Sequence, residues 1–425
     1  MRVVRTVDEH RAVVAALLPA TPSVPRPLSD ALGMVLAEDL RAAVALPPFD
    51  NSAMDGYAVR AADVAAASPE HPVRLPVAQD VPAGRTDAPP LLPGTAHRIM
   101  TGAPMPPGAD TVVQVEHTDG GVETVRVDHA AAEGMHLRRA GEDAEAGTLV
   151  LRAGTVLGAA QLGLAAAVGN ATVRVRRLPR VLVLATGSEL VTPGEPLRHG
   201  QIYESNGVML AAAVTEAGGV AERLRFVPDD VDQFLAVLSE RIAGGGVDLV
   251  LTSGGVSAGA YEVVKDALAS RGVEFVRVGM QPGGPQGAGR LTGMGGATSG
   301  GSRAGTGAIT NGDGTPVVTL PGNPVSSQVS FEVFVRPALR AAMGHPAPYR
   351  PIVRARLGET LRSPAGRRQF RRGELDTTTG TVRTVGGPGS HLLSALARAN
   401  CLIVLGEHDQ FFPEGVEVDV WPLDR

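Results

Sequence analysis

The sequence has little cysteine, few aromatic residues and no long apolar run. Its single cysteine, Cys401, excludes an internal disulfide, and the apolar run at 400–405 predicts a buried, inert thiol. Aromatic residues make up only 3% of the chain, so the cores must be built from Ala, Val and Leu. No apolar run is long enough to span a bilayer, and residues 1–5 lack the apolar core of a secretory signal. We therefore expect a cytoplasmic protein with no membrane span.

The chain also lacks the signatures of several common functions. Its net charge of −5 argues against a nucleic-acid binder, which would carry a basic stripe. The ten histidines are scattered without the spacing of a zinc site. The dinucleotide pattern G-x-G-x-x-G is missing after the first α/β strand, and so is the P-loop pattern that ends in Gly-Lys-Ser/Thr. A nicotinamide enzyme and a P-loop nucleotide hydrolase are therefore disfavoured.

What is present indicates several domains, because 425 residues with 44% apolar side chains are too many for one core. The fold class that the patterns predict is multidomain α/β plus β. Its four expected parts are a helical and mixed linker domain at 1–45 and 138–178, a β-rich module at 46–137, a central doubly wound parallel-sheet domain at 179–345, and a small C-terminal β-barrel at 346–425.

One stretch, from Gly283 to Gly314, is dominated by Gly, Ser, Thr and Ala and shows no apolar period. Such a composition buries too little surface to offset the entropy of ordering, so we expect a mobile loop in its middle. A catalytic lid is one interpretation. A surface insertion is the favoured one, because lids usually carry a large anchoring side chain.

The run at 47–59 concentrates polar groups behind a rigid Pro-Pro entry. Asp50, Asn51, Ser52 and Asp55 lie within six residues, and Gly56 permits a backbone path where a side chain would clash. A loop of this kind presents oxygen ligands or acceptors at fixed positions. An Asx-rich turn that only bonds its own backbone is an equally good interpretation on local chemistry alone.

Three glycine-rich turns follow predicted parallel strands, at 186–189, 252–259 and 320–326. The carboxyl ends of parallel strands form the usual ligand crevice of such sheets. Glycines permit close backbone approach, and the helix that follows offers free N–H groups to a phosphate. Together the three turns predict a phosphate-bearing ligand.

Acidic and basic residues occur in and near these loops. Carboxylates that face a phosphate need a divalent cation between them, and Mg²⁺ is the expected ion. The acids concerned include Asp55, Asp143, Glu189, Asp229 and Glu262. Arginine and lysine would pair with phosphate or other oxyanions. Such cations are Lys265, Arg277, Arg138 and the run at 367–372, for which a solvated basic edge is an equal alternative.

Several runs together resemble the molybdopterin molybdenumtransferase family, which includes the C-terminal domain of gephyrin. The run Pro-Pro-Phe-Asp-Asn-Ser-Ala-Met-Asp-Gly-Tyr-Ala-Val at 47–59 is highly specific. The other matching runs occur in the family's order at 98–104, 141–143, 185–190, 200–206, 252–259, 320–326 and 389–394.

The resemblance implies a molybdopterin-binding-like α/β domain and the insertion of molybdate into adenylylated molybdopterin, with AMP released and Mg²⁺ assisting. It implies an elongated homodimer whose site is shared between subunits. Asp55, Thr101 and Asp143 would then face Glu189, Asp229 and Glu262 across the boundary. A molybdopterin adenylyltransferase is a candidate partner.

The resemblance also suggests roles for individual residues. Asp55, Asp143 and Glu189 are the expected cation-associated acids, followed by Asp229 and Glu262. Pterin and phosphate would be held by Thr186, Gly187, Ser253, Gly254, Gly255, Ser257, Pro321, Asn323 and Pro324. Molybdate or phosphate oxygens would be bound by Thr101, Arg138, Lys265, Arg277, Arg372, Ser390 and Ser394.

The chain departs from the family pattern at one turn. The family often has Lys-Pro-Gly-Lys-Pro, whereas residues 281–285 read Gln-Pro-Gly-Gly-Pro, so both lysines are missing. Position 262 is Glu where Asp is common. The alternative to the enzyme is therefore a gephyrin-like dimeric scaffold that binds a partner peptide with little or no enzymatic activity.

Overall fold

The computed structural model describes residues 4–224, 230–255, 263–292 and 314–423. Asp229, Ser257 and Glu262 lie outside these ranges, as does most of the glycine-rich stretch. Within them, no helix has the length and apolarity needed to cross a membrane.

The first 178 residues are mostly short strands. Their elements are β1 (Val4–Arg5), α1 (Val7–Leu17), β2 (Ser23–Pro27), β3 (Leu40–Arg41), β4 (Asn51–Ser52), β5 (Gly56–Val59), α2 (Ala61–Val64), β6 (Val73–Val81), β7 (Ala96–Ile99), β8 (Thr111–Gln114), β9 (Thr124–Val127), β10 (Leu137–Arg138), β11 (Leu149–Leu151), α3 (Ala159–Ala167) and β12 (Thr172–Arg176).

The β-rich module is built as the sequence predicts. Its five-stranded sheet has the order β8-β5-β7-β6-β9. Valines cover the sheet, and the fully buried Tyr57 donates a hydrogen bond to Gly121 O. Gly56 starts strand β5, which lies between β8 and β7, and a Cβ there would collide with Val113 O. The identity of residue 56 is thus fixed by the close approach of two strands.

The predicted linker domain has its own small core around Leu36, Leu157 and Val175, in which β2 pairs with β12 and β3 with β11. The domain division as a whole stays a prediction. The first two elements, β1 and α1, pack with the α/β domain and not with the linker domain to which they were assigned. Strand β1 pairs with the α/β sheet, and α1 buries Val14 in the core of that sheet. The amphipathic pattern of α1 does not indicate which sheet its apolar face covers.

Residues 179–345 alternate strands and helices. Their elements are β13 (Arg180–Ala185), β14 (Leu190–Val191), β15 (Ile202–Tyr203), α4 (Asn206–Glu216), β16 (Val220–Arg223), α5 (Val231–Ala243), β17 (Leu249–Ser253), α6 (Val263–Leu268), β18 (Val273–Val278), β19 (Met280–Gln281), β20 (Pro285–Leu291), β21 (Thr315–Leu320), α7 (Pro324–Ser330), a π-helical turn (Phe331–Val335) and α8 (Arg336–Ala342).

The central sheet has the order β1-β18-β20-β21-β17-β13-β16. The four strands β21, β17, β13 and β16 are parallel, as a doubly wound fold requires. The apolar residues of β21, β17 and β13 are buried on both faces, whereas the edge strand β16 is exposed or half-buried. Strand β20 runs antiparallel between β18 and β21 at the start of the glycine-rich stretch, and the mobile loop expected in the middle of that stretch lies outside the described residues. Two glycines of β20 are required because their neighbours leave no room for a side chain. A Cβ on Gly287 would collide with Thr319 Oγ1, and a Cβ on Gly289 would collide with Gly272 O.

The C-terminal part is the predicted barrel. Its elements are β22 (Val353–Leu357), β23 (Leu361–Arg362), β24 (Arg368–Asp376), β25 (Thr381–Thr384), α9 (Leu393–Arg398), β26 (Cys401–Leu405), β27 (Phe411–Phe412) and β28 (Glu417–Pro422). The order β24-β25-β22-β28-β26 closes through a β24–β26 pairing. Cys401 is fully buried there, and burial raises the pKa of its thiol to about 12, which confirms an inert thiol.

Candidate functional site

The three glycine-rich turns meet at one cleft of about 1070 Å³. They leave the carboxyl ends of the parallel strands β13, β17 and β21, and a loop from the C-terminal domain forms the opposite wall. The predicted residues in its lining are Thr186, Gly187, Glu189, Ser253, Gly254, Gly255, Pro321, Asn323, Pro324 and Ser390. The topology of the sheet thus brings together most of the predicted pterin and phosphate contacts.

Two of the turns depend on glycine because of where the backbone runs. Gly254 has φ +101°, and a Cβ there would lie 3.0 Å from Thr186 O. Gly187 leaves room for a neighbouring side chain, because a Cβ at this position would lie 2.6 Å from a carboxylate oxygen of Glu189. The glycines therefore allow two strand ends to touch and leave the floor of the cleft as bare backbone.

The charge of this cleft is unexpected for a site that holds anions. Among the described lining residues there is no lysine or arginine, while Glu189 and Glu204 both contribute carboxylates. Where the family often has lysine, Gln281 faces the cleft, and its Oε1 accepts a 2.9 Å hydrogen bond from the buried Gln369 Nε2. The cleft supplies shape, backbone and neutral amides rather than positive charge.

A second group of predicted residues lies in the N-terminal region, on what we call the acidic face: Asp55, Thr101, Arg138 and Asp143, all of them exposed. Asp55 Oδ1 accepts hydrogen bonds from Thr101 N at 2.6 Å and Thr101 Oγ1 at 2.8 Å. These two bonds, the backbone one first, lower the pKa of Asp55. The carboxylate is thus held in one orientation and ionised at neutral pH.

A neighbouring acid fixes the loop that carries Arg138 and Asp143. Asp50 accepts hydrogen bonds from Ala140 N at 2.8 Å and from Arg139 Nη1 at 2.9 Å. Both contacts lower the pKa of Asp50, the backbone bond more strongly. Asp50 is therefore more than an Asx turn, since it joins two segments about ninety residues apart in the chain.

The remaining predicted residues that the structure describes lie outside the cleft lining. Arg372 is buried, and its guanidinium donates to the carbonyls of Val385, Gly387 and Gly389, so it holds the loop behind Ser390. Arg277 is exposed on β18, Lys265 is half-buried on α6, and Ser394 is exposed on α9. Their predicted contacts with oxyanions stay predictions.

Comparison with known proteins finds three matching regions along the chain. The MoeA N-terminal region (domains I and II) matches residues 5–169, a "Probable molybdopterin binding domain" matches 182–341, and the MoeA C-terminal region (domain IV) matches 354–423. Molybdopterin molybdenumtransferase 2 of Mycobacterium tuberculosis is 53% identical over 99% of this chain and 100% of its own length. The chain belongs to the molybdopterin molybdenumtransferase (MoeA) family.

More distant members agree. The molybdopterin molybdenumtransferase of Bacillus subtilis is 32% identical over 92% of this chain and 88% of its own length. A crystal structure of the molybdopterin biosynthesis MoeA protein from Pyrococcus horikoshii covers 100% of both chains with a TM-score of 0.82 and 31% identity. The resemblance recognised in the sequence is thereby confirmed.

The acids expected to bind a cation are divided between two regions of this family member. Glu189 lines the cleft, whereas Asp55 and Asp143 belong to the acidic face and are absent from the cleft lining of the same chain. No group of three His, Cys, Asp or Glu side chains in the described ranges is placed to hold a metal. Carboxylates suit Mg²⁺ chemically, but one described chain does not bring the predicted set together.

Three residues of the cleft were not predicted individually. Asn206 begins α4, Glu204 precedes it, and Gln281 lies on β19. The run at 200–206 that matches the family contains the first two, and it is the signal by which they could have been found. The partners of Asn206 and Gln281 lie on other strands and turns, so no local pattern predicts those contacts. Glu204 also has a local partner, because its Oε1 accepts a hydrogen bond from Gly207 N.

Proposed function

We propose that this chain inserts molybdate into adenylylated molybdopterin and releases AMP. The observation that carries the proposal is the cleft, where three strand ends present glycine backbone and polar side chains to a ligand. Backbone N–H groups at strand-to-helix turns suit phosphate, and 1070 Å³ is enough for a pterin with a nucleotide attached. Membership of the MoeA family supports the same reaction.

The proposed roles follow from position. Ser253, Gly254 and Asn323 hold the pterin and its phosphate in the cleft. Arg372 orders the wall that carries Ser390. Asp55 is held ionised by Thr101 and serves as a fixed negative group on the acidic face.

Magnesium dependence is part of the proposal. Asp55, Asp143 and Glu189 would hold Mg²⁺, and Asp229 and Glu262 complete the predicted set of acids. The ion would neutralise charge on the phosphoanhydride and on molybdate. Because one chain keeps Glu189 apart from the other two, the proposed cation site requires a second subunit.

A homodimer with a shared site is accordingly proposed, with the acidic face of one subunit against the cleft of the other. Two-fold symmetry would make two equivalent sites per dimer. Sedimentation of the purified chain measures this directly, and a stable monomer at working concentration would contradict it.

The experiment that tests the reaction is complementation of a molybdenumtransferase-deficient strain. The chain, expressed at normal level with molybdate supplied, should restore molybdoenzyme activity. Failure would count against the enzyme and in favour of a peptide-binding scaffold, which no particular contact in the structure supports. Association with a molybdopterin adenylyltransferase and a cytoplasmic location stay predictions from the sequence.

A further inference from the structure

One side chain joins the turns that form the floor of the cleft. Asn206, the first residue of α4, is half-buried and lines the cleft. Its Nδ2 lies 2.9 Å from Ser253 Oγ, at the end of β17, and 2.7 Å from Gly322 O, in the turn after β21. A single amide group therefore contacts two strand ends that are about seventy residues apart in the chain.

The orientation of this amide follows from its partners. Gly322 O can only accept a hydrogen bond, so the Asn206 atom at 2.7 Å must be the nitrogen. The nitrogen has two hydrogens, and each is directed to a different strand end. An aspartate in this position would have no hydrogen to donate, and a serine would have only one.

The contact with Ser253 extends into a buried network. Ser253 Oγ lies 3.3 Å from Pro321 O and 3.3 Å from Ser327 Oγ on α7, and both serines are buried. The end of β17, the turn after β21 and the helix that follows are thus connected through the hydroxyl that Asn206 contacts. Gly254 N also donates to Leu320 O at 3.1 Å, so the same two turns are bonded through their backbones.

The amide oxygen of Asn206 indicates that this side chain positions other residues and does not itself bind the ligand. Its Oδ1 is shielded from solvent and has no hydrogen-bond partner among the residues that the structure describes. An atom without solvent exposure offers nothing to a ligand entering the cleft. A buried, unbonded oxygen also destabilises the fold, so the side chain is better explained by the geometry it imposes.

We propose that Asn206 is a positioning residue for the transferase reaction. Its hydrogen bonds hold the Gly254–Gly255 turn and the Pro321–Asn323 turn at the distance from each other that the phosphate-bearing substrate requires. The inference rests on the proposed function for the identity of the substrate. It assigns to Asn206 no contact with the reacting atoms. Small displacements of binding groups are costly in catalysis, because reacting atoms must stay within narrow distances.

The test uses the full-length chain with Asn206→Ala and the nearly isosteric Asn206→Asp, which removes both donors but keeps the shape. Asn170→Ala is the matched control, since Asn170 Nδ2 donates one 3.2 Å bond to Arg41 O in the N-terminal region. Hydrogen exchange in the ligand-free protein reports the turns without any substrate. Both Asn206 variants should speed exchange about tenfold or more at Gly254, whose N–H donates to Leu320 O, and the control should not.

Turnover of adenylylated molybdopterin, corrected for the folded fraction, is the second measurement. Both Asn206 variants should lower kcat/KM about a hundredfold, as expected for misplaced binding groups, while the control stays within about twofold. Unchanged exchange, or a loss explained wholly by the melting temperature, would overturn the positioning role. If Asn206→Asp retained full turnover, shape alone would matter and the donors would not. A wild-type chain that shows no turnover refutes the proposed function, whereas the exchange result still decides the role of Asn206 in the cleft.

Discussion

The cleft and the acidic face differ in what holds them together. The cleft is built from buried strands, bare glycine backbone and neutral amides, and its described lining contains carboxylates but no lysine or arginine. The acidic face has exposed carboxylates and arginines on loops that are held by short side-chain hydrogen bonds. The cleft supplies a shaped surface for the ligand, whereas the acidic face supplies exposed charged side chains.

The proposed sharing of the site between two subunits rests on this difference. A substrate with several phosphate and molybdate oxygens needs positive charge that the described cleft lining lacks. Arg138 and Arg139 carry such charge on the acidic face, beside the carboxylates that suit a cation. The contrast predicts that each region is needed and that the two can be supplied by different copies of the chain.

The largest effect is expected from Asp55→Ala. Its carboxylate is ionised and fixed but supports no buried structure, so activity should fall about a hundredfold or more while the fold survives. Asp376→Ala is the matched control, because Asp376 likewise accepts bonds from threonines, at 2.8 Å from Thr378 N and Thr379 Oγ1, on the barrel. Steady-state kinetics and thermal melting of both variants decide the matter. Wild-type activity in Asp55→Ala would show that the acidic face takes no part in the chemistry.

Predicting the cleft from the sequence succeeds because the rule it uses is topological. Parallel strands end at the same edge, so Thr186, Gly254 and Asn323 had to come close once the strands were recognised. The pattern of buried apolar strands is strong at β13, where five of six residues are apolar, and at the start of β17, which begins Leu-Val-Leu. Nothing about the distances between side chains was needed.

Other features depend on contacts that no local pattern contains. Strand β20 has no apolar alternation, and its glycines are explained only by the neighbours β18 and β21 that crowd them. Arg372 was expected to bind oxyanions, yet its donors are directed to three carbonyls of the 385–389 loop. In each case the deciding partners lie on a different strand or loop, which a local pattern does not contain.

Mixed dimers would separate the two regions directly. Asp55→Ala damages the acidic face and Glu189→Ala damages the cleft, so each variant alone should be inactive. If the site is shared, random pairing gives heterodimers in which one site is intact, and about a quarter of wild-type activity should return. Co-expression followed by an activity assay is the measurement. Mixing the two proteins after they have separately formed dimers controls for exchange. No recovery in the co-expressed sample would place both residues in one subunit's site or exclude the dimer.

Lowering the pH should destabilise α1 and the α/β sheet that carries the cleft before it protonates the carboxylates of the acidic face. His10 on α1 is fully buried against Phe334, and neither ring nitrogen has a partner among the described residues. Burial, with a smaller contribution from Arg5, lowers the pKa of His10 to about 4. The unfolded chain therefore binds a proton below pH 6.5 that the folded chain refuses until about pH 4, so stability falls as the pH drops through this window.

The expected loss between pH 7 and pH 5 is about 2 kcal/mol in the free energy of unfolding. His10→Leu should remove that part of the pH dependence, and His71→Leu, on an exposed turn of the β-rich module, controls for the loss of an imidazole. Urea unfolding at the two pH values provides the measurement. An equal pH dependence in wild type and His10→Leu would show that the buried imidazole is not the cause.

The smallest effect is expected from giving the cleft the charge it lacks. Gln281→Lys places a cation where the family often has one, and a half-exposed charge should lower the KM for molybdate about threefold. Gln281→Met is the matched control, because both variants lose the bond to Gln369 and only one gains charge. The advantage of lysine over methionine should shrink as salt is added, since exposed charges are screened. Equal KM values for the two variants at low salt would mean that positive charge already reaches this wall. The contrast between a cleft without described cations and a face that carries arginine would then have to be abandoned.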